Sequence, residues 1–83
     1  MNMPVDVMAT FNTVGGIKPN FVRLEDKEHK VHTHKIENIL YTKDEKYAGI
    51  PTLVFCCNIM IDNCLKMIKL RYQIDSHTWV LLK

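Results

Sequence analysis

The chain has 83 residues, 47% hydrophobic and 24% charged, an ordinary composition for one small folded domain and too apolar for a disordered segment. Eleven basic and nine acidic residues leave a formal charge of +2 with no block of like charges, which argues against a dedicated DNA binder. No run approaches the stretch of about 18 apolar residues that spans a bilayer as a helix, and the opening Met-Asn-Met-Pro-Val-Asp lacks the basic-then-apolar build of a secretion signal, so a cytoplasmic protein with no membrane association is expected.

Residues 1–4 are expected to form a loose lead-in. Val5, Val7, Ala9 and Phe11 then alternate with Asp6, Met8 and Thr10, the period of two of a half-buried strand. Residues 12–16 end in Gly15-Gly16 and read as a turn, because glycine takes positive φ at no steric cost. Residues 17–24 resume the extended pattern with Val22 and Leu24 inward and Phe21 and Arg23 outward. Pro19 cannot donate to a ladder, so this strand lies at an edge, is bulged, or begins after the proline.

Residues 25–29 form a charged turn. From Lys30 to Tyr41 two periodicities compete: Val31 and Thr33 against His32 and His34 suggest a strand, whereas Ile36, Ile39 and Leu40 recur at helical spacing. A strand to about Lys35 followed by a bulge or one helical turn is expected. Residues 42–49 are polar, end in glycine and read as an exposed loop.

Residues 52–61 are apolar almost without interruption, as in a strand covered on both faces. Asp62-Asn63 reads as a two-residue hairpin turn that sets Cys57 opposite Ile68 and Cys64 opposite Ile61. In residues 64–74 the phase of the apolar positions moves from Leu65 and Met67 to Ile68, Leu70, Tyr72 and Ile74, which suggests a bulge near Met67 or a bend between sheets. Residues 78–82 close the series, Trp79 and Leu81 on one face. Five or six short strands with at most a helical turn predict a mainly β fold, a small, strongly bent antiparallel barrel or half-barrel of SH3-like or OB-like kind.

Phe11, Gly16-Ile17-x-Pro19, Lys35-Ile36, Gly49, Cys57-x-Ile59 and Trp79-Val80 together resemble a family of short uncharacterised bacterial proteins. The likeness covers nearly the whole chain. It implies a compact, mainly β domain and no assigned activity. The chain departs from the family pattern at Lys27-Glu28, where a glycine turn is usual, and in a longer stretch between Cys57 and Trp79.

Several constellations bear on function. His32 and His34 leave one face of a strand about 6.5 to 7 Å apart, a spacing that can serve one tetrahedral zinc if His29 or a cysteine adds a third ligand. The simpler reading is a solvated face. Cys56, Cys57 and Cys64 form an odd set in which no pair faces another, so no disulfide is expected, and free cysteine is commonly a small buried apolar residue. A reactive thiol would need His34 or His77 beside it. No phosphate loop, nucleophile elbow or paired carboxylate occurs, so neither an enzyme nor a cofactor is expected. Arg23, Lys66, Lys69 and Arg71 beside exposed Phe21 could bind a single nucleic-acid strand by stacking in a basic groove, although alternation alone puts basic residues on the wet side of a sheet. The apolar segment carries more side chains than one face can hide. Val54, Cys56, Met60, Leu65 and Met67 are therefore expected to form an interface, making the protein a non-catalytic interaction module, a homodimer through the 52–67 hairpin or a binder of a protein partner.

Overall fold

Alternation of period two runs through nearly the whole chain, and six antiparallel strands result: β1 (Met3–Phe11), β2 (Ile17–Glu25), β3 (Val31–Tyr47), β4 (Ile50–Ile61), β5 (Cys64–Gln73) and β6 (Thr78–Leu82). The structure, a computed structural model, describes residues 2–82. Each strand pairs with its sequence neighbour and β6 returns to β1, closing an up-and-down barrel. This is the small, bent antiparallel barrel the pattern predicts, with no helix among the described residues. Its order is a plain meander, whereas an OB-fold barrel is a Greek key.

Two strands turn the corners of the barrel. β1 pairs with β6 at Met3, Pro4 and Val5 and with β2 from Asp6 onward. β3 pairs with β2 as far as Lys35 and with β4 from Ile36 onward. One sheet therefore holds β4, β5, β6 and the ends of β1 and β3, and the other holds β2 with the remaining halves. Two of the expected bulges, in the strand with Pro19 and in the segment after Lys35, fall at these bends. Asn20 is the extra residue where Met8↔Phe21 gives way to Ala9↔Pro19, so the proline occupies an irregular position that needs no ladder donor.

In β3 the extra residues are Glu37 and Leu40. They explain the competing periodicity: an inserted residue lets Ile36 and Ile39 both face inward three positions apart, which imitates a helix face in a strand. The helical turn considered for this segment is absent. The loop expected at residues 42–49 is also corrected, because β3 continues through Tyr47 and only Ala48-Gly49 turns, with φ of 51° and 81°. No register shift interrupts β5, so the bulge expected near Met67 does not form. Leu65 and Met67 simply face outward while Ile68, Leu70 and Tyr72 face inward. The lead-in expected over residues 1–4 is ordered from Met3, which opens β1; Met1 lies outside the described residues.

The core lies between the two sheets. Val22, Phe55, Cys57, Ile59 and Leu70 are fully or almost fully buried, and Tyr72, Trp79 and Leu81 complete the cluster. Trp79 packs against Phe55 with ring centroids 5.5 Å apart and against Tyr72 at 5.0 Å. Phe11 covers Tyr72 edge-on at 6.3 Å while remaining largely exposed itself. The hairpin turn at Asp62-Asn63 holds both residues at positive φ, 52° and 61°, and sets Cys57 opposite Ile68 and Cys64 opposite Ile61 as the sequence predicts.

Candidate functional site

The outer face of β4 and β5 is set by their unbroken register. Met60 stands opposite Leu65, Asn58 opposite Met67, Cys56 opposite Lys69 and Val54 opposite Arg71. These side chains point away from the core, yet they divide into two halves. Near the Asp62-Asn63 turn, Met60, Leu65 and Met67 are 41%, 58% and 61% exposed, and the bulged Leu40 on β3 is 48% exposed. Asn58 donates to Asn38 across the β3–β4 ladder at 3.0 Å, which pins the polar ground between them.

Toward the other end the outer face is sealed, and Val54 and Cys56 are each only 1% exposed. They are therefore not available to a partner, which corrects two of the five expected interface positions. Cys56 lies between Tyr41 and Lys69, and opposite Val54 stands Arg71, itself only 7% exposed. Its Nη2 donates to Glu45 Oε1 at 2.9 Å, and its guanidinium carbon lies 4.3 Å from the centre of the Tyr47 ring. Stacking on an aromatic face suits the weakly hydrated guanidinium. Lys43 Nζ reaches the other Glu45 oxygen at 3.2 Å. The Arg71 guanidinium and then Lys43 hold the Glu45 carboxyl below its ordinary range. Thr52 Oγ1 donates to the Glu45 carbonyl at 2.7 Å and fixes the strand that carries the clamp.

The histidines sit at the Asp62-Asn63 end, away from the clamp, where a groove of about 860 Å³ runs between the β2–β3 and β4–β5 turns, lined in part by Asp26, His32, His34 and Asp62. The ring centroids of His32 and His34 are 6.4 Å apart. His32 Nε2 contacts Asp26 Oδ2 at 2.8 Å, His34 Nδ1 contacts the Met60 carbonyl at 3.3 Å, and His29 Nδ1 contacts Glu25 Oε1 at 2.8 Å. Asp26 is the organiser of the turn: its Oδ1 accepts from the backbone N–H of Glu28 and of Lys30. The Lys30 N–H first, then His32, keep its carboxyl below the ordinary range. Among the described residues no group of three His, Cys, Asp or Glu is arranged to hold a metal ion, so the zinc reading of His32 and His34 lacks its third ligand.

All three cysteines are free. Cys56 and Cys57 are buried, and burial, with Cys56 adjacent, pushes the Cys57 thiol up to about 11. His77 Nδ1 contacts the Tyr72 hydroxyl at 2.9 Å and His34 the Met60 carbonyl, so neither imidazole is committed to a thiol.

The residues considered for nucleic acid are not brought onto one surface. Phe21 and Arg23 lie on β2 and Lys66, Lys69 and Arg71 on β5, strands of opposite sheets that are not neighbours in the barrel. Arg71 is buried in its clamp, and Arg23 faces Asp6 at 4.0 Å. No protein-family model matches the chain, and no curated protein or solved structure shows significant similarity to it. No helix among the described residues is long and apolar enough to cross a membrane.

The sequence reading missed the clamp and the strand that carries it. Tyr41, Lys43, Glu45 and Tyr47 alternate with Thr42, Asp44 and Lys46, a period of two hidden because polar residues stand on both faces of this stretch.

Proposed function

We propose that the protein is a non-catalytic interaction module that associates with itself and offers the outer face around Met60, Leu65 and Met67 to a protein partner. The observation that carries this reading is the exposure of three adjoining large apolar side chains on a regular, hydrogen-bonded sheet, whose register leaves them no inward alternative. Methionine suits such a surface, since its flexible, polarizable side chain adapts to different partners. The free thiols, two of them buried, fit a cytoplasmic protein in a reducing compartment.

Light scattering at micromolar concentration is expected to give a mass above that of the monomer. A clean monomer throughout that range would remove the self-association. The double substitution L65K/M67K should keep the fold, as both side chains are exposed, and should abolish uptake of a hydrophobic fluorescent dye by the unmodified protein. Unchanged dye uptake would show that this face is not the apolar surface the protein presents.

A further inference from the structure

The long strand β3 has an open edge. From Tyr41↔Cys56 to Tyr47↔Ile50 it pairs with β4 without interruption, whereas β2 follows it only to Lys35. Among the described residues no strand lies along residues 41–47 on the side away from β4. An edge of this kind offers a row of backbone N–H and C=O groups whose natural complement is another strand edge.

The order of side chains along that edge selects the complement. The stretch reads Tyr41, Thr42, Lys43, Asp44, Glu45, Lys46, Tyr47, with aromatic ends, two lysines and two acids. A fence of one charge sign would repel a second copy. This stretch carries both signs, and in antiparallel register about Asp44 it matches itself: Tyr41 stands opposite Tyr47 of the second copy and Lys43 opposite its Glu45. Thr42 stands opposite Lys46 of that copy. Asp44 meets its own symmetry mate, with Lys46 of the other copy on the diagonal beside it, within reach of a cross-strand pair.

The neighbouring registers are poorer. Every self-centred register sets one like pair face to face, two aspartates about Asp44, two lysines about Lys43 or two glutamates about Glu45. Centring on Lys43 leaves no opposite-charge pair directly opposed, and only centring on Asp44 adds a Tyr41–Tyr47 pair at each end to its two Lys43–Glu45 pairs. A shift by a single residue would bring outward side chains against inward ones. Pairing about a two-fold axis also closes on itself, so it yields a dimer rather than a fibre.

We propose that residues 41–47 are a self-recognition strand, through which two copies of this chain join their larger sheets antiparallel about Asp44. The proposal rests on the self-association reading and specifies its contact. Because like faces meet in this register, the outer faces of both copies lie on one side of the joined sheet. The exposed Met60, Leu65 and Met67 of each copy then flank a centre formed by the tyrosines, leaving the apolar face to a partner.

The test is cross-linking in a background carrying C64S, which removes the exposed thiol. Directly opposed residues of an antiparallel pair have Cα atoms about 4.5 to 5.5 Å apart, within disulfide reach. Under mild oxidation D44C is expected to give a covalent dimer. T42C and K46C should each stay monomeric alone and cross-link when mixed. K43E, which replaces two attractions by two repulsions, should weaken association about tenfold. In the unmodified protein, amide exchange within residues 41–47 should slow as concentration rises. If light scattering gives a dimer but D44C and the T42C with K46C mixture fail to cross-link and those amides gain no protection, the strand assignment is overturned and self-association stands. If the protein is a monomer at every concentration, both fall.

Discussion

Replacing Phe55 by alanine tests the division of β4 into an inner and an outer face. Phe55 is 2% exposed and packs on Trp79 at 5.5 Å, at the centre of the cluster that both sheets cover. Removing such a ring costs about 3–5 kcal/mol, the lost transfer energy plus the cavity it leaves. At roughly 0.05–0.15 kcal/mol per residue, a chain of 83 residues has about 4–12 kcal/mol of stability in all, so F55A should bring the fold close to its limit. With a urea slope of about 1 kcal/mol per molar, the midpoint should fall by about 3 M or more. Trp79 is the only tryptophan and is buried, so its fluorescence reports the transition. L65A, at a position 58% exposed, is the control and should stay within about 0.5 kcal/mol of the unmodified protein. A loss below about 1 kcal/mol for F55A, or a comparable loss for L65A, would refute the assignment of inward and outward residues.

Three further outcomes follow from particular side chains. Ala48 holds φ at 51°, a left-handed conformation that costs an ordinary residue about 1–2 kcal/mol, so A48G should raise the urea midpoint, and a lowered midpoint would contradict the turn geometry. With Ellman's reagent at neutral pH, Cys64 should react at once, whereas Cys56 and Cys57, the latter with its thiol raised to about 11, should react only on unfolding; C64S should remove the fast phase alone. Asp26 and Glu45 have folded-state pKa values lowered from the ordinary 3.8 and 4.5, so their contribution to stability is complete above those values and is lost as pH falls through the lower folded-state ones. Urea titrations from neutral pH downward should show a stability loss below about pH 4 that D26N makes shallower, and an unchanged acid limb in D26N would exclude the Asp26 part of this account.

The strands that cover core were legible because burial writes itself into the sequence as alternation. Val5, Val7 and Ala9, then Val22 and Leu24, then Trp79 and Leu81 all face inward as their spacing predicts. The Asp62-Asn63 turn was equally plain, and with it the register of β4 and β5. Where β3 was misread, two separate causes acted. The extra residues Glu37 and Leu40 shift the phase of the apolar positions, and no local rule announces where a strand must bend to pass from one sheet to the next. Beyond Tyr41 the strand has polar residues on both sides, so propensity and pattern describe a loop although β4 supplies a complete ladder.

The candidate surface was legible by half for a related reason. Counting apolar residues in residues 52–67 showed that one face could not hide them all, and Met60, Leu65 and Met67 are indeed exposed. The same count could not foresee that Val54 and Cys56 are sealed, nor that Arg71, which stands opposite Val54, is held by Glu45 and Tyr47, because that clamp joins β5 to the part of β3 that did not read as structure. The nucleic-acid set failed through topology: alternation predicts which residues face water on each strand, but not that β2 and β5 belong to opposite sheets with their wet faces turned away from one another.

Every inward and outward placement depends on the ladders that close the barrel. The most direct measurement is a set of proton–proton contacts by NMR across β1–β6 and β4–β5. Contacts joining Val5 to Trp79 and Met3 to Leu81, together with Met60 to Leu65 and Asn58 to Met67, are the predicted result. Absence of any β1–β6 contact, or a register that sets Met67 opposite Cys57 and turns it inward, would contradict the barrel and the surface built on it.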